Sequence, residues 1–400
     1  MGRWSVAPPP APAYAAAVTT PARFAALLLD WFAVNARDLP WRHTRDPYAI
    51  WVSEVMLQQT QVRTVVPYWN RWMAALPSAA ALAAAPPEQV LKLWEGLGYY
   101  HRARNLQKAA RAIVREHRGV FPRRLEAVLA LPGIGPYTAG AVCSLAFNLP
   151  TPVLDGNVTR VLTRWYGVRQ RVDRACTRRR LATLAQDLVS AAETTRPLGG
   201  SGGWRSRRVH EGPCGALNEA LMELGAILCT PRQPRCPDCP LHRHCAAHQS
   251  GDAEALPRKP RRPGTLEREL FVFVGRRNGR WLVRRRPTGG VNAGLWEWPS
   301  IETVGHPTPL AAAQVLLGPG LVATTFRFVL EHSITRHRIR LQVHEVTVTG
   351  RIRSGRSGRW LAAGALDRLA FPAAHRKIFQ RLVAPTMRLA ERAGDGTVRA

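Results

Sequence analysis

Four cysteines fall within 17 residues, as Cys229-x6-Cys236-x2-Cys239-x5-Cys245. Four thiolates this close together can close around one cluster. The other three cysteines of the seven, Cys143, Cys176 and Cys214, are scattered. An odd count with one tight cluster argues against a secreted disulfide framework and for a metal site in a reducing compartment. Zinc usually takes two C-x2–4-C pairs far enough apart to form two knuckles. Here only Cys236 and Cys239 make such a pair, so a [4Fe–4S] cluster ligated by all four thiolates fits the spacing better than zinc.

What surrounds this cluster divides by hydrophobic period. At 400 residues the chain is long for one domain and predicts two or three. Residues 1–22, rich in Pro and Ala, read as a disordered tail, with neither the charged start nor the apolar core of a secretory signal. Residues 23–250 read as one domain, with successive helices over 23–195 and apolar positions such as Ala49, Val52, Val55 and Met56 at helical spacing. Within them 196–215, rich in Gly and Arg, reads as a flexible insertion, and helical pattern resumes over 216–228. Residues 251–266, with three prolines and several charges in 255–264, suit a linker. Beyond it, over 267–390, the period becomes alternating. Asn278-Gly279 between two such runs is a hairpin signal, and 326–330 and 339–348 read as further strands. The expected architecture is multidomain: an all-α domain carrying the cysteine loop, then an α+β domain. No apolar run approaches the ~18 residues that span a membrane.

Charge narrows the partner. There are 57 Lys+Arg against 27 Asp+Glu, a formal net charge of +30. Only Lys92, Lys108, Lys259 and Lys377 are lysines. Nucleotide bias in a genome explains arginine replacing lysine, but it does not explain the shortage of acids. The excess points to a polyanion, and nucleic acid is the commonest.

Three motifs carry chemistry. Leu131-Pro-Gly-Ile-Gly135 sits between two helical stretches, 123–130 and 137–147. Gly133 and Gly135 let the turn present backbone N–H groups to a phosphate, a helix–hairpin–helix signature for the DNA backbone. About twenty residues on, Asp155 opens Asp155-Gly156-Asn157-Val158. A lone Asp there is a helix cap. Close to bound DNA, however, a carboxylate at a helix start also faces a cation forming at a sugar C1′. Glu54 lies in Trp51-Val-Ser-Glu-Val-Met-Leu57. A solvent-facing Glu would not have so many apolar neighbours, and burial would raise its pKa until it holds a proton near neutrality. An acid plus a carboxylate is the pair that glycosidic cleavage uses.

These segments resemble the A/G-specific adenine DNA glycosylase (MutY) family of the helix–hairpin–helix superfamily. The match runs through Leu39-Pro-Trp-Arg42, 46–62, Trp94-Glu-Gly-Leu-Gly-Tyr-Tyr100, 131–142, 154–158 and the cysteine cluster, in the family's order. It covers about residues 30–245, with a weaker match over 267–385. The resemblance implies that Glu54 protonates N7 of adenine and later handles the water. It implies that Asp155 stabilises the oxocarbenium-like sugar or traps it covalently. Asn157 and Tyr137 would support that carboxylate and the sugar site. Arg37 and Leu39 would line the pocket for the flipped adenine. Gln59, Thr60, Leu97 and Tyr99 would fill or wedge the opposite stack, and Arg232 and Arg235 would meet phosphates. The implied partner is double-stranded DNA holding adenine opposite 8-oxoguanine or guanine, bound by a monomer. The implied location is the bacterial cytoplasm at the nucleoid, or an organelle or nucleus in a eukaryote.

Two rivals remain. Endonuclease III-like enzymes share the hairpin, the Asp and the cluster, but add a Schiff-base lysine just after the hairpin. Here that place reads Gly135-Pro136-Tyr137, and no lysine lies between Lys108 and Lys259. A non-catalytic DNA-binding protein with a structural four-cysteine site would leave Glu54 and Asp155 without a shared purpose. The second domain resembles the family's Nudix-like module through Gly294-Leu-Trp-Glu-Trp-Pro299. A Nudix hydrolase needs clustered glutamates for Mg2+, and 301–317 holds only Glu302 among acids, so recognition is favoured over hydrolysis. Where many relatives carry a Phe-Ser-His element facing 8-oxoguanine, this chain has Ile334, Thr335 and Arg336.

Overall fold

The computed structural model describes residues 19–196, 198, 212–260, 264–287, 289–306, 308–349 and 358–385. Two compact units emerge: 1–83 with 108–261, and 84–107 with 262–400. The expected flexible insertion lies largely outside the described residues, apart from 196, 198 and 212–215, as does most of the expected N-terminal tail.

In the first unit, caps and apolar faces define the helices. Helix α1 (Pro21–Asn35) begins inside the segment expected to be a tail, because Thr20 caps it by accepting from the Arg23 N–H at 3.3 Å. Helix α2 (Pro47–Leu57) is capped by Asp46 and is buried from Tyr48 to Met56. There follow α3 (Val62–Ala75), α4 (Ala79–Ala84), α5 (Pro87–Leu93), α6 (His101–His117), α7 (Leu125–Leu129) and α8 (Pro136–Phe147). Then come α9 (Gly156–Trp165), α10 (Ala175–Ala192), α11 (Pro213–Ile227) and the short α12 (Ala246–Gln249). Helix α11 starts at Pro213 rather than at 216, since Pro suits a first helical turn. The larger core joins Phe24, Leu28 and Phe32 of α1 to Trp165 of α9, Leu188 of α10 and Leu221 of α11. A smaller one joins Ile50 of α2 to Ala141 and Leu145 of α8. No helix among the described residues is long and apolar enough to cross a membrane.

Two boundaries differ from the sequence reading. The start of the expected linker is strapped down: the Leu256 carbonyl accepts from Arg164 Nε at 3.0 Å and that of Arg258 from the Val172 N–H at 3.1 Å. Residues 84–107, expected within the helical domain, pack in the second unit instead. Lys92 Nζ donates to the Asp367 carbonyl at 2.6 Å and Arg104 Nη1 to that of Ala293 at 2.6 Å. Periodicity shows which face of a helix is apolar, not which partner will cover it.

The second unit is built on β1 (Leu266–Arg277), β2 (Arg280–Arg285), β3 (Trp296–Glu297), β4 (Ser300–Glu302), β5 (Leu321–Ile334), β6 (His337–Val348) and β7 (Gly358–Ala362). The main path runs β3-β2-β1-β6-β5, with β4 pairing β1 and β7 pairing β2. Strand β1 is parallel to β6, and the other pairs are antiparallel. Asn278 (φ 48°) and Gly279 (φ 70°) make the two-residue turn of the first hairpin, where left-handed backbone favours this dipeptide. Alternation along β1 sends Val272 and Val274 to one face, with Phe371 and α15 (Ala373–Leu382). Phe271 and Phe273 go to the other, under α13 (Pro309–Leu317). Between β7 and α15 lies α14 (Ala363–Asp367). The α+β expectation holds, and the strands read at 326–330 and 339–348 extend further.

A buried histidine ties α15 to this sheet. The Trp298 N–H donates to His375 Nδ1 at 3.1 Å, and Trp298 Nε1 donates to the His375 carbonyl at 3.1 Å. Burial, then Arg286, Arg284 and His332, push the His375 pKa down to about 3. The unfolded chain therefore binds a proton near pH 6.5 that the folded unit refuses, so stability falls as pH drops below that value. At pH 5 the loss from this group is about 2 kcal/mol. His375→Asn, which keeps an acceptor but does not titrate, should flatten the acid limb of a plot of denaturation midpoint against pH.

Candidate active site

Helix α2 is apolar on all sides, and Glu54 sits inside it only 3% exposed. Its partner is on α8: Tyr137 Oη donates to Glu54 Oε2 at 2.6 Å. Burial pushes the Glu54 carboxyl up to about 7, Glu219 and Asp155 add to the rise, and the Tyr137 hydrogen bond and Arg42 oppose it. A carboxylic acid so placed carries a proton over much of the neutral range.

Asp155 is the N-cap of α9. Its Oδ1 accepts from the Val158 N–H at 2.7 Å and its Oδ2 from Asn157 Nδ2 at 3.0 Å. Burial raises its pKa, while these bonds and Arg160 favour the ionised form. Capping α9 thus leaves the carboxylate hydrogen-bonded at a helix start, where a cap and a role in chemistry are compatible. Asn157 is held in turn by Arg160, whose Nη2 donates to Asn157 Oδ1 at 2.7 Å and to the Gly225 carbonyl at 2.6 Å. Gly225 is required for this approach: a Cβ there would lie 2.7 Å from that of Asn157. Tyr137 was expected, with Asn157, to support Asp155 and the sugar site. Its hydroxyl bonds Glu54 instead, because α8 packs against α2, and Asp155 acts on it only electrostatically.

Three charged residues, Glu219, Glu223 and Arg160, escaped the sequence reading, and Arg42 stood there only within a matched segment. Glu223 is fixed by Arg37 (Nε 2.7 Å, Nη2 2.9 Å) and by Arg42 (Nη2 3.0 Å). Burial alone would raise its pKa, but the two guanidiniums hold it down at about 2. Glu219 accepts from Arg42 Nε at 3.1 Å and is itself raised by burial. These, with Arg160, lie on helical faces whose pattern is that of any amphipathic helix. Arg37 is half-exposed beside Glu223 and Leu39 is buried. Gln59 takes a left-handed backbone (φ 57°) just after α2, with Thr60 next to it. Gly133 (φ 75°) makes the hairpin turn, closed by the Ile134 N–H on the Leu131 carbonyl at 3.1 Å, and Gly135 is the N-cap of α8.

The four cysteines of the loop are unpaired and half-buried. Arg164 Nη1 lies 3.3 Å from Cys229 Sγ, and Arg160 Nε donates to the Cys229 carbonyl at 2.7 Å. Burial, then the charges of Cys229, Cys245 and Cys236, push the Cys239 thiol up to about 12, so the four sulfurs share one electrostatic neighbourhood. Among the described residues no three His, Cys, Asp or Glu groups are drawn into a closed metal cage. The donor set, four free thiols beside a cation, still suits a thiolate-ligated cluster. Arg232 and Arg235 lie exposed in this loop, Arg235 3.9 Å from Asp238.

In the second unit, Thr335 and Arg336 form the two-residue turn between β5 and β6, with Thr335 at φ 53°. A cavity of about 660 Å³ is lined by Leu97, Tyr99, His332, Ile334, Thr335 and His375, among others. Arg336 lies outside that lining. Glu302 ion-pairs with Arg268.

Residues 52–187 match the family of helix–hairpin–helix base excision DNA repair proteins, and 271–381 match the NUDIX domain. An adenine DNA glycosylase of Rattus norvegicus is 36% identical over 415 residues, covering 88% of this chain and 76% of that protein. The human adenine DNA glycosylase is 35% identical over 421 residues, covering 89% and 73%. That of Buchnera aphidicola from Acyrthosiphon pisum is 34% identical over 264 residues, covering 65% and 69%.

The chain belongs to the adenine DNA glycosylases.

It is an N-glycosylase of base excision repair and its partner is DNA. A Glu54 that acts as the acid of the reaction predicts a pH profile. An acid of pKa about 7 loses its proton as pH rises, so single-turnover adenine release should decline above neutrality. Tyr137→Phe removes a bond that lowers this pKa, so the alkaline limb should move to higher pH. A limb that stays in place or moves down would show that another group controls it.

Proposed function

We propose that this glycosylase removes adenine opposite 8-oxoguanine or guanine, with Glu54 as acid and Asp155 as the carboxylate facing the sugar, and leaves the abasic strand intact. The observation that carries this is the contrast between two carboxyl groups of one unit. Glu54 is buried and raised to about 7 with a single hydrogen-bond donor on its carboxyl, whereas Asp155, also raised by burial, accepts two hydrogen bonds and faces Arg160, all of which favour its anion. Such a pair divides the work of glycosidic cleavage. Protonation of adenine N7 by Glu54 makes the base a neutral leaving group as the C1′–N9 bond breaks. Asp155 then faces the cation at C1′ until water adds, and Glu54, now ionised, accepts that water's proton. Arg37 and Leu39 border the flipped base, and Gly133 and Gly135 hold the DNA backbone. Gln59, Thr60, Leu97 and Tyr99 fill the opposite stack, and Arg232 and Arg235 meet phosphates. Thr335 and its neighbours read the opposite base.

The absence of strand cleavage rests on Tyr137. Its hydroxyl occupies Glu54, and no amine stands at the position where lyases carry lysine. Cys229, Cys236, Cys239 and Cys245 hold a [4Fe–4S] cluster, which when bound cross-links the loop over 229–245. Arg160 and Arg164 anchor that loop to α9, the helix that Asp155 caps.

Three outcomes check these assignments. Glu54→Gln and Asp155→Asn should each slow single-turnover excision by at least about 10²-fold, with mismatch affinity nearly unchanged, because each acts in the transition state. Borohydride should trap little covalent complex with the wild type; efficient trapping would favour the lyase reading. Anaerobically purified protein should hold about four irons per chain and absorb broadly near ~400 nm. Stoichiometric zinc without iron would refute the cluster, and replacing Cys143, Cys176 or Cys214 should leave the colour intact.

A further inference from the structure

The loop over 96–100 between α5 and α6 is conformationally expensive. Gly96 (φ 106°), Gly98 (φ 70°) and Tyr99 (φ 47°) all have positive φ, and Tyr99 pays for a Cβ there. Such a loop persists only where its surroundings over-determine it. Trp94 Nε1 donates to the Gly98 carbonyl at 3.0 Å, and Arg102 Nη2 donates to the carbonyls of Leu97 (3.1 Å) and Gly98 (3.2 Å). Tyr100 Oη accepts from the Gly96 N–H at 3.3 Å and donates to the Phe371 carbonyl at 3.1 Å.

Immediately before the loop stands Glu95, whose side chain is only 12% exposed. It receives Arg376 in two bonds, Nε to Oε1 at 2.8 Å and Nη2 to Oε2 at 3.1 Å. Oε1 also accepts from the Phe371 N–H at 2.8 Å, and Oε2 from Lys92 Nζ at 2.7 Å. The Arg376 guanidinium lies over the rings of Phe371 (5.1 Å) and Phe379 (4.8 Å). Phe371 is thus gripped through its N–H by Glu95, its carbonyl by Tyr100 and its ring by Arg376. The stretch just after it, 372–375, lines the same cavity as Leu97, Tyr99 and Thr335. A bidentate carboxylate–guanidinium pair this well covered fixes geometry as well as adding energy.

We propose that Glu95, Arg376 and Tyr100 form a latch that fixes the register of the Leu97–Tyr99 loop against the Thr335 turn, and so sets discrimination of the base opposite adenine. Glu95 and Arg376 are positioning residues that act through Leu97 and Tyr99, and Tyr100 both holds Phe371 and borders the cavity itself. The inference rests on the reading that Thr335 and its neighbours face that opposite base. With the latch open, the loop relaxes out of its left-handed backbone, and the cavity loses one wall's alignment while Glu54 and Asp155 keep theirs.

The test uses the full chain as wild type, Glu95→Gln and Tyr100→Phe. Single-turnover excision is measured on duplexes with adenine opposite 8-oxoguanine and opposite guanine. A 2-aminopurine beside the opposite base reports unstacking, and thermal midpoints accompany the rates. Glu95→Gln should lower the ratio of the two rates roughly tenfold, as loss of a charge-assisted bond implies. Tyr100→Phe, which removes one oxygen and is the safeguard against misfolding, should lower it less. In both, the 2-aminopurine signal should fall, and excision opposite guanine should fall less than excision opposite 8-oxoguanine. A wild type that prefers 8-oxoguanine, with both variants keeping its ratio and its fluorescence, overturns the latch alone. A wild type without preference overturns the lesion reading itself, and the latch's role with it.

Discussion

A carboxyl group that keeps its proton near neutral pH has to be taken out of water, and the first unit is organised around doing that to Glu54. Helix α2 is apolar on every side, so it can be covered all round, and its one acid is covered with it. The cost of burying that group is lessened because it is neutral for much of the time and because Tyr137 donates to it. The nearby anions Glu219 and Asp155 work in the same direction as burial. Glu223 has the opposite fate, since Arg37 and Arg42 hold it ionised. One unit thus contains an acid kept protonated and an acid kept charged, and the difference lies in the arginines.

The second carboxylate of the site depends on a chain of contacts that reaches the cysteine loop. Asp155 is oriented by Asn157, Asn157 by Arg160, and Arg160 also holds the Cys229 carbonyl. Arg164, one turn further along α9, approaches the Cys229 sulfur. The cysteine loop is therefore a brace for the helix whose start carries Asp155. Gly225 allows the close approach on which this brace depends. The second unit has a comparable economy: the loop bearing Leu97 and Tyr99 is strained by itself and is held by residues of the sheet domain and its helix α15.

Chain order determined much of this protein. The cysteine spacing, the Gly-rich hairpin, Asp155 twenty residues later, Glu54 among apolar neighbours and the Asn278-Gly279 turn are all local signals. Local signals survive in a sequence because each is set by backbone geometry or by burial of a single face. From them followed the helical domain, the α+β domain, the family and the missing lysine. Tertiary structure alone decided the partners. Tyr137 meets Glu54 rather than Asp155 because α8 lies on α2, and Glu223 meets Arg37 across 186 positions of sequence. Residues 84–107 joined the second unit because Glu95 and Tyr100 found Arg376 and Phe371 there. Periodicity states how much of a helix must be covered, but the covering surface is chosen by packing among distant segments, which no local pattern encodes.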